Sequence, residues 1–528
     1  MNAITKTANR QIAYAAGTVM AAFVLSNITG LIRQILVSQA FGTGLEIDAF
    51  NAAARLPDLL FSLVAGGALA SAFIPTFTGF LAREERDDGW QLASAIGNLV
   101  SLILIATCAL AAILAPQIVR YALYPLVSDL DPTRFNLTVS LLRIMLLSPL
   151  IFGISGLLMG ILNSHQIFLL PALAPSMYWL GMIFGVVVLA PHWGIHGLAW
   201  GVVLGAGMHL GVQLPALGKV GLRYIPTLGL GQPAVRQVGR LMLPRLLGVA
   251  VVQINFMVNV ILASAQPEGS LTAITLAWAV MTMPQVVIAQ SIAIAALPTF
   301  SAQVARGHPE EMRASLAATL RGVILLSLPA SLGLIFLRFP IVSLLFERGE
   351  FTAQSTELVA WALLWYSVGL VGHSVVEILA RAFYALQDTK TPVLVGAAAM
   401  SLNLVFSIAF AALFTRVGWM PHGGLALANS LATALEMVGL LVLMRRRLDG
   451  LEGRHVLKGF SQAVAASAVM TLGLLAWLYW GREQATWLVL GGGIVLGGGL
   501  YSLSLVGLGV REIREGVEVL RRWRGRKN

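Results

Sequence analysis

The sequence predicts an all-α integral membrane protein of about fourteen transmembrane helices, arranged as two pseudo-symmetric six-helix lobes plus two C-terminal helices. Three observations lead there. Of 528 residues, 57% are hydrophobic and only 11% are charged, where a soluble protein carries about 25%. The mean hydropathy is +0.82. The few charges are also clustered: Ile144 to Gly218 holds no Asp, Glu, Lys or Arg, and shorter uncharged runs cover 89–119, 246–267, 269–305, 391–415, 459–481 and 484–510. A spanning helix needs about 20 apolar residues, so each run holds one or more. This excludes a soluble enzyme, a peripheral protein and a nucleic-acid binder despite the net charge of +11. Transmembrane barrel strands would read as alternating segments of about 10 residues, which these runs are not.

Hydropathy places the spans at 13–37, 47–80, 90–118, 135–162, 167–190, 196–217, 237–264, 270–302, 314–337, 355–384, 391–414, 421–444, 459–480 and 484–508. Spans two and eight exceed a bilayer thickness, so tilting, kinking or protrusion is expected. The apolar stretch after Lys6 and Arg10 is long and lacks a small-residue cleavage site, which reads as a retained first span. Placing the N-terminus inside puts 23 Lys/Arg on the cytoplasmic side and 6 outside. Positive residues favour cytoplasmic loops, so both termini are expected there. Six cations remain within or at the ends of spans: Arg33, Arg55, Arg143, Arg245, Arg321 and Arg381.

A duplication supports the lobes. Ile74-Pro75-Thr76-Phe77 recurs as Leu297-Pro298-Thr299-Phe300, Leu162-Asn163 pairs with Leu386-Gln387, and Gly197-Leu198-Ala199 with Gly424-Leu425-Ala426, at offsets of 223, 224 and 227. Three matches in chain order at nearly equal offset indicate an internal repeat. The expected organisation is an N-terminal lobe over 1–218, a cytoplasmic linker over 219–236, a C-terminal lobe over 237–447, two additional helices over 448–510 and a basic tail over 511–528. Six is an even number of spans, so the lobes share one topology, as in parallel-repeat alternating-access transporters.

Several motifs carry no chemistry. Gly229-x-Gly231-x-x-Ala234 imitates a dinucleotide fingerprint but follows no strand. The triplets Gly491–Gly493 and Gly497–Gly499 read as helix packing, and Cys108, the one cysteine, as a small buried hydrophobe. No metal motif, nucleophile or ATP-binding loop is present, so the protein reads as a transporter without cofactor. His209 and His373 read as hydrogen-bonded packing residues. An ionisable residue in a span costs about 2.5–3.5 kcal/mol on insertion scales and usually faces a cavity or a partner. Arg33, Asp48, Arg55 and Asp58 form the densest group. Glu377 and Arg381, four apart, are expected to neutralise one another. Glu436, Asn255 and Asn403 could contact a coupling cation, as could Glu377; Asn259 could also contribute, although interhelical hydrogen bonding is the default for the asparagines.

Ser26-x-x-x-Gly30-x-x-Arg33, Phe41-Gly42, Asp48-Ala49-Phe50, Leu56-Pro57-x-Leu59-Leu60 and Ala72-Phe73-x-Pro75 resemble the first two helices of the MurJ (MviN) lipid II flippases, members of the multidrug/oligosaccharidyl-lipid/polysaccharide exporter superfamily. The resemblance continues through Ile161-Leu162-Asn163, Pro171-Ala172-x-Ala174-Pro175, Gln213-Leu214-Pro215, Gly349-x-Phe351-Thr352-Ala353, Tyr366-Ser367-Val368-Gly369-Leu370 and Phe383-Tyr384-x-x-Gln387-Asp388-x-Lys390-Thr391-Pro392. It implies two lobes around a central headgroup cavity and a groove for the polyprenyl tail. It also implies a multi-pass protein of the bacterial inner membrane that flips undecaprenyl-diphosphate-linked disaccharide-pentapeptide from the inner to the outer leaflet. Membrane lipids and cell-wall synthesis proteins are the implied partners, and a monovalent cation or the membrane potential the implied drive. Arg suits a diphosphate because it offers bidentate contacts. The headgroup-cavity candidates are Arg33, at a position where the family has an arginine, with Asp48, Arg55, Asp58, Ser26 and Asn27.

The sequence departs from the family where cations are expected. Asn27, Phe61 and Ala279 stand where arginines are implied, and Gly66 where a glutamate is. Either relocated cations (Arg33, Arg55, Arg143, Arg245) bind the diphosphate, or the substrate differs. The alternatives are a translocase of another polyprenyl-diphosphate-linked glycan, a cation-coupled multidrug antiporter of the same superfamily, or a non-transporting scaffold.

Overall fold

A computed structural model of the chain describes residues 2–64 and 68–510, with side chains at 22–63, 72–243, 246, 249, 250, 253 and 256–510. Among the described residues it is helical throughout, with no strand. The basic tail and Gly66 lie outside the described residues, as do the side chains of Arg245 and Asn255.

Two compact units divide the chain. The first comprises residues 1–269 with 348–351, the second 270–347 with 352–528. The first holds α1 (Asn2–Phe41), α2 (Leu45–Val64), α3 (Ala68–Ala82), α4 (Arg86–Ile113), the short α5 (Ala115–Ile118), α6 (Pro132–Met145), α7 (Leu147–Ser164), α8 (Leu169–Phe184), α9 (Ala190–Trp193), α10 (Ile195–Gly211), α11 (Leu214–Val220) and α12 (Pro233–Ser264). The second holds α13 (Ser270–Gln285), α14 (Ser291–Ala305), α15 (Pro309–Phe346), α16 (Ala353–Val368), α17 (Leu370–Ala385), α18 (Lys390–Val417), α19 (His422–Arg447), α20 (Gly453–Trp480) and α21 (Thr486–Gly507). α12, which the sequence assigned to the C-terminal lobe, groups with the first unit: it packs on α2 and α3 and contributes Val235 and Val238 to a core shared with α3, α4 and α7.

Among the described residues, ten helices are long and apolar enough to cross a membrane, or eleven if α16 and α17, bent by 47° at Gly369, count as one. α1, the α2–α3 pair and α12 occupy the other expected positions. Span eight carries a π-helical turn, Val286–Gln290, just after Pro284, and span two divides into α2 and α3. A π-turn widens the helix by one residue and breaks a long rod locally. The outward faces are apolar: Ile103, Ile113, Val405 and Ile408 are all more than half exposed. In water such patches would be unstable, whereas hydrocarbon accepts them.

The duplication is visible in local geometry. Gly197 and Gly424 both lie in the first turn of their helices, α10 and α19, and each presses directly against backbone of the preceding helical segment. The second match shifts by three residues. Gln166 and Gln387 both adopt left-handed φ, 60° and 59°, and the following N–H groups reach back to Leu162 and Phe383 at 2.9 and 3.0 Å. The equivalent of Leu162-Asn163 is therefore Phe383-Tyr384, not Leu386-Gln387, because the turn geometry and not the leucine is repeated.

Helix contact in hydrocarbon depends on small residues that let backbones approach. Gly181 and Gly185 face Gly197, Gly201 and Gly205 along the α8–α10 seam, and a Cβ at Gly201 would stand 2.8 Å from the Gly185 Cα. Of the C-terminal triplets, Gly492 and Gly493 meet Trp477 and Gly497 meets Leu474, as packing requires. Overpacking costs about 1–3 kcal/mol, so Gly201→Leu is expected to lower the melting temperature of detergent-purified protein, while Gly207→Leu, with nothing within 4 Å of its Cβ, leaves it near wild type.

The turn before α18 explains a specific stretch of sequence. Asp388 accepts from the Thr391 N–H at 3.0 Å and the Thr391 hydroxyl at 2.7 Å, closing the first turn of α18. Those two bonds, the backbone one first, hold its carboxyl below the usual carboxylate range. A depressed carboxylate stabilises above its unfolded pKa and loses that contribution as pH falls through the lowered folded value. Asp388→Asn is therefore expected to lower the melting temperature at neutral pH by a small margin that narrows under strong acid, as read in melts across pH.

Candidate functional site, an arginine pair held by aromatic rings

On α1, Ser26, Gly30 and Arg33 recur at helical spacing and share one face. Gly30 makes room for a large neighbour on α8: a Cβ there would meet the Trp179 indole nitrogen at 3.3 Å. One turn later the Arg33 guanidinium lies over the Trp179 ring, 4.6 Å from its centroid. Its Nε is buried and has no hydrogen-bond partner. Trp179 is braced in turn by Tyr178 at 4.8 Å, Tyr178 by Phe152 at 5.2 Å, and Phe152 by Phe61 at 4.5 Å between ring centroids. Phe61 thus fills its position, where the resemblance implies an arginine, with the far end of an aromatic shelf. Beneath the shelf, His209 contacts the Ser155 hydroxyl at 2.7 Å, and Gln213 donates to the same hydroxyl at 2.7 Å.

On α2, Arg55 and Asp58 lie three apart. The Arg55 guanidinium sits 5.9 Å from the Phe256 ring of α12. Asp58 is exposed, one turn beyond Arg55. Among the described residues it forms no direct ion pair with Arg33 or Arg55. The structure therefore seats Arg33 against Trp179 and Arg55 against Phe256, each on an aromatic ring of the first unit. A cation lying over a ring is stabilised without spending its N–H donors, which point from the guanidinium edge. Two such edges in an apolar span favour an oxyanion ligand.

The remaining candidates serve other purposes. Asp48, expected on the headgroup cavity, is 2% exposed, and its Oδ2 accepts from the Gly269 N–H at 2.9 Å. Next to it Glu268 accepts from the Leu45 N–H at 2.6 Å, filling an unsatisfied donor at the start of α2. The same end of α1 meets segment 348–351: Glu350 N–H donates to the Gln39 carbonyl at 2.9 Å, and Gly42 and Gly349, with φ of 58° and 60°, allow the approach. Phe41-Gly42 and Gly349-x-Phe351, far apart in sequence, are thus two sides of one contact. Asn27 is exposed and donates to its own helix at Phe23 O, 2.8 Å, and Ser26 offers its carbonyl to the Thr29 hydroxyl at 3.0 Å.

Arg143 is not a relocated cation of this group. It is exposed on α6, and its Nε donates to the Ala112 carbonyl at 3.1 Å, at the electronegative C-terminus of α4. Glu377 and Arg381 pair at 2.8 Å on α17. Asn403 is 3% exposed and accepts from the Ser407 hydroxyl at 3.3 Å within α18. His373 bonds Asn429 at 3.1 Å and Thr433 at 3.3 Å. Glu436 on α19 forms no hydrogen bond or ion pair among the described residues and lies 3.2 Å from where a Cβ on Gly396 would stand. Ala279, on α13, offers its carbonyl to the Thr282 hydroxyl. Sequence reasoning missed Trp179, Tyr178 and Phe256. The signal for the first two was their place just after Pro171-Ala172-x-Ala174-Pro175, a motif that resemblance had already marked.

A helical membrane protein with a duplicated fold and charged groups inside its spans has the architecture of an alternating-access transporter. The family model described as lipid II flippase MurJ matches residues 37–491. A lipid II flippase MurJ from Burkholderia cenocepacia is 32% identical over 470 residues, 87% of this chain and 89% of that one. A probable lipid II flippase MurJ from Vibrio cholerae is 32% identical over 511 residues, 93% and 95% of the two chains. The chain belongs to the MurJ lipid II flippase family. Its fold is similar to a solved lipid II flippase MurJ in an inward closed conformation, with a TM-score of 0.79, 23% identity and coverage of 94% of this chain and 99% of that one. It is also similar, at a TM-score of 0.66, 16% identity and coverage of 83% and 99%, to an inward-facing multidrug transporter of the same superfamily.

Asp48→Ala is expected to destabilise the protein by about 1–3 kcal/mol, since it strands a buried N–H, while leaving any pyrophosphate binding unchanged. Paired melting and pyrophosphate-binding measurements check both halves.

Proposed function

We propose that the chain translocates lipid II, the polyprenyl-diphosphate-linked disaccharide-pentapeptide, from the inner to the outer leaflet of the bacterial inner membrane by alternating access. Family membership supports the substrate class, and the ring-held Arg33–Arg55 pair supports recognition of its diphosphate. Two guanidinium edges suit a diphosphate, whose charge of about −2 two arginines can match. Relocated cations from Arg143 are not needed for this. A multidrug antiporter would rest on acidic and aromatic walls centred on Asp48, Glu377 or Glu436; the first two are committed to partners, which leaves Glu436 alone of the three without a hydrogen bond or ion pair among the described residues.

Both termini lie on the cytoplasmic side in this reading, supported by the 23 to 6 distribution of Lys/Arg. The drive is the membrane potential or a monovalent cation, for which Glu436, without a hydrogen bond or ion pair among the described residues, is a candidate carboxylate on the second unit. Potential acts on charge moved across the membrane, at about 2.3 kcal/mol per charge per 100 mV.

Arg33→Ala is expected to abolish flipping with membrane insertion intact, and Arg33→Lys to retain part of it, because Lys keeps the charge and loses the planar fork. Depletion of the chromosomal copy with plasmid complementation, reading lipid II exposed on the outer face, checks this. Wild-type exposure in the Arg33→Ala strain would remove the arginine pair from the mechanism.

A further inference from the structure

We propose that the segment joining α11 to α12, whose composition reads as a cytoplasmic linker, is a wedge seated in the membrane. Residues 224–230 dip along α4 to the headgroup–acyl boundary of one leaflet and turn their outer side chains to lipid. With both termini inside, this is the inner leaflet. The inference rests on the chain spanning a bilayer and not on the diphosphate reading.

Residues 222–229 form neither helix nor strand, yet they follow α4 closely. The Arg223 guanidinium donates to Asp87 at 3.0 Å, the Ile225 N–H to the Ser94 hydroxyl at 3.0 Å, and the Tyr224 hydroxyl to the Asn98 amide oxygen at 3.0 Å. The Asn98 amide group in turn donates to the Thr227 carbonyl at 2.8 Å. The chain then reverses at Gly229, where φ is 55° and a side chain would collide with Ala95. It comes back to Gln91, whose amide oxygen accepts from Gln232 at 3.2 Å. Asp87, Gln91, Ser94 and Asn98 share one face of α4. At helical rise Asn98 lies about 16 Å along the axis from Asp87. The headgroup layer on each face of a bilayer is about 5–8 Å thick, so a loop that starts beside Asp87 and reaches Asn98 passes through it.

The side chains fit that depth. Ile225, Thr227 and Gly229 turn towards α4, whereas Tyr224, Pro226, Leu228 and Leu230 turn away and are exposed. In water the outward set of an extended segment is polar. Here it is apolar throughout, with Tyr224 66% and Leu230 62% exposed. No charged residue occurs from Tyr224 to Val235, while Lys219 and Arg223 precede this run and Arg236 and Arg240 follow it. Cations are thus placed at both ends, where headgroup phosphates lie, and a tyrosine suits the interface between them. Beyond Asn98, the first exposed side chains on α4 are Leu102 and Ile103, so the loop continues the lipid-facing surface of that helix. Irregular backbone at membrane depth needs partners from protein, and Ser94 and Asn98 supply them to Ile225 and Thr227. Through Gln232 and Gln91 the wedge also holds the start of α12 against α4.

The test uses the full chain, purified into phosphatidylcholine nanodiscs, on a Cys108→Ser background that removes the one cysteine. A nitrobenzoxadiazole probe is attached at Leu228→Cys and, separately, at Leu230→Cys. Arg86→Cys, at the exposed start of α4, is the water reference and Ile103→Cys the lipid reference. Each variant is checked by thermal melt. Iodide reports water, and a phosphatidylcholine with a nitroxide high on its acyl chain reports the boundary. The probes at 228 and 230 are expected to lose iodide quenching relative to the Arg86 site, to gain nitroxide quenching and to emit at shorter wavelength, as at Ile103. Iodide quenching at both sites equal to that at Arg86 overturns the wedge and leaves a water-exposed patch for a cytosolic protein to cover. Quenching by neither agent overturns it as well, because the side chains would then be packed against protein.

Discussion

An ionised side chain inside a bilayer must be held by something other than water, and this requirement organises the molecule. Here the partners are seldom simple counter-ions. Arg33 and Arg55 lie over Trp179 and Phe256, and Arg321, 5% exposed, donates to the Gln462 amide oxygen at 3.0 Å. Glu377 and Arg381 are the exception, a conventional i,i+4 pair. Ring faces and amides stabilise a cation without cancelling its charge. A cation held in this way keeps its attraction for a mobile anion, whereas a cation in a buried salt bridge has spent it.

The same requirement governs how the helices are put together. Hydrocarbon offers no hydrophobic drive between helices, so close approach and backbone satisfaction take over. The α8–α10 seam runs on glycines whose Cβ atoms would collide with backbone. α2 begins on a Glu268 carboxylate that fills an otherwise empty N–H, and α18 begins on Asp388. Water can satisfy such donors at a soluble helix end. Near a membrane a side chain can take that place, as the Glu268 and Asp388 carboxylates do here.

That substitution of roles explains what the sequence revealed and what it hid. Fold class was readable because apolar runs and the absence of charge report directly on the solvent each segment meets. The repeat was readable through Gly197/Gly424 and the proline motifs, whose geometric demands repeat with them. The Leu162/Leu386 match misled by three residues, because leucine is interchangeable on an apolar face whereas the left-handed Gln166 and Gln387 are fixed by their turns. Glu377–Arg381 could be paired from spacing alone. Asp48 could not, since its partner is a backbone N–H 221 residues away. Arg143 likewise looked like a free cation until the end of α4 was placed beside it. Trp179 was invisible for a related reason: an aromatic residue in a span reads as lipid-facing bulk unless a cation is known to lie over it.

The shortage of arginines relative to the family acquires a physical meaning from that ring. The positions of Asn27 and Phe61 supply no charge, yet Phe61 is not a passive replacement. It closes a row, Phe61, Phe152, Tyr178 and Trp179, in which each ring is packed against the next and the last supports Arg33. Several loosely held arginines would each lose rotamer freedom when a ligand ordered them, at about 0.5–1.5 kcal/mol apiece. An arginine already fixed by stacking loses much less. Fewer, preorganised cations can therefore serve a diphosphate as well as more numerous mobile ones.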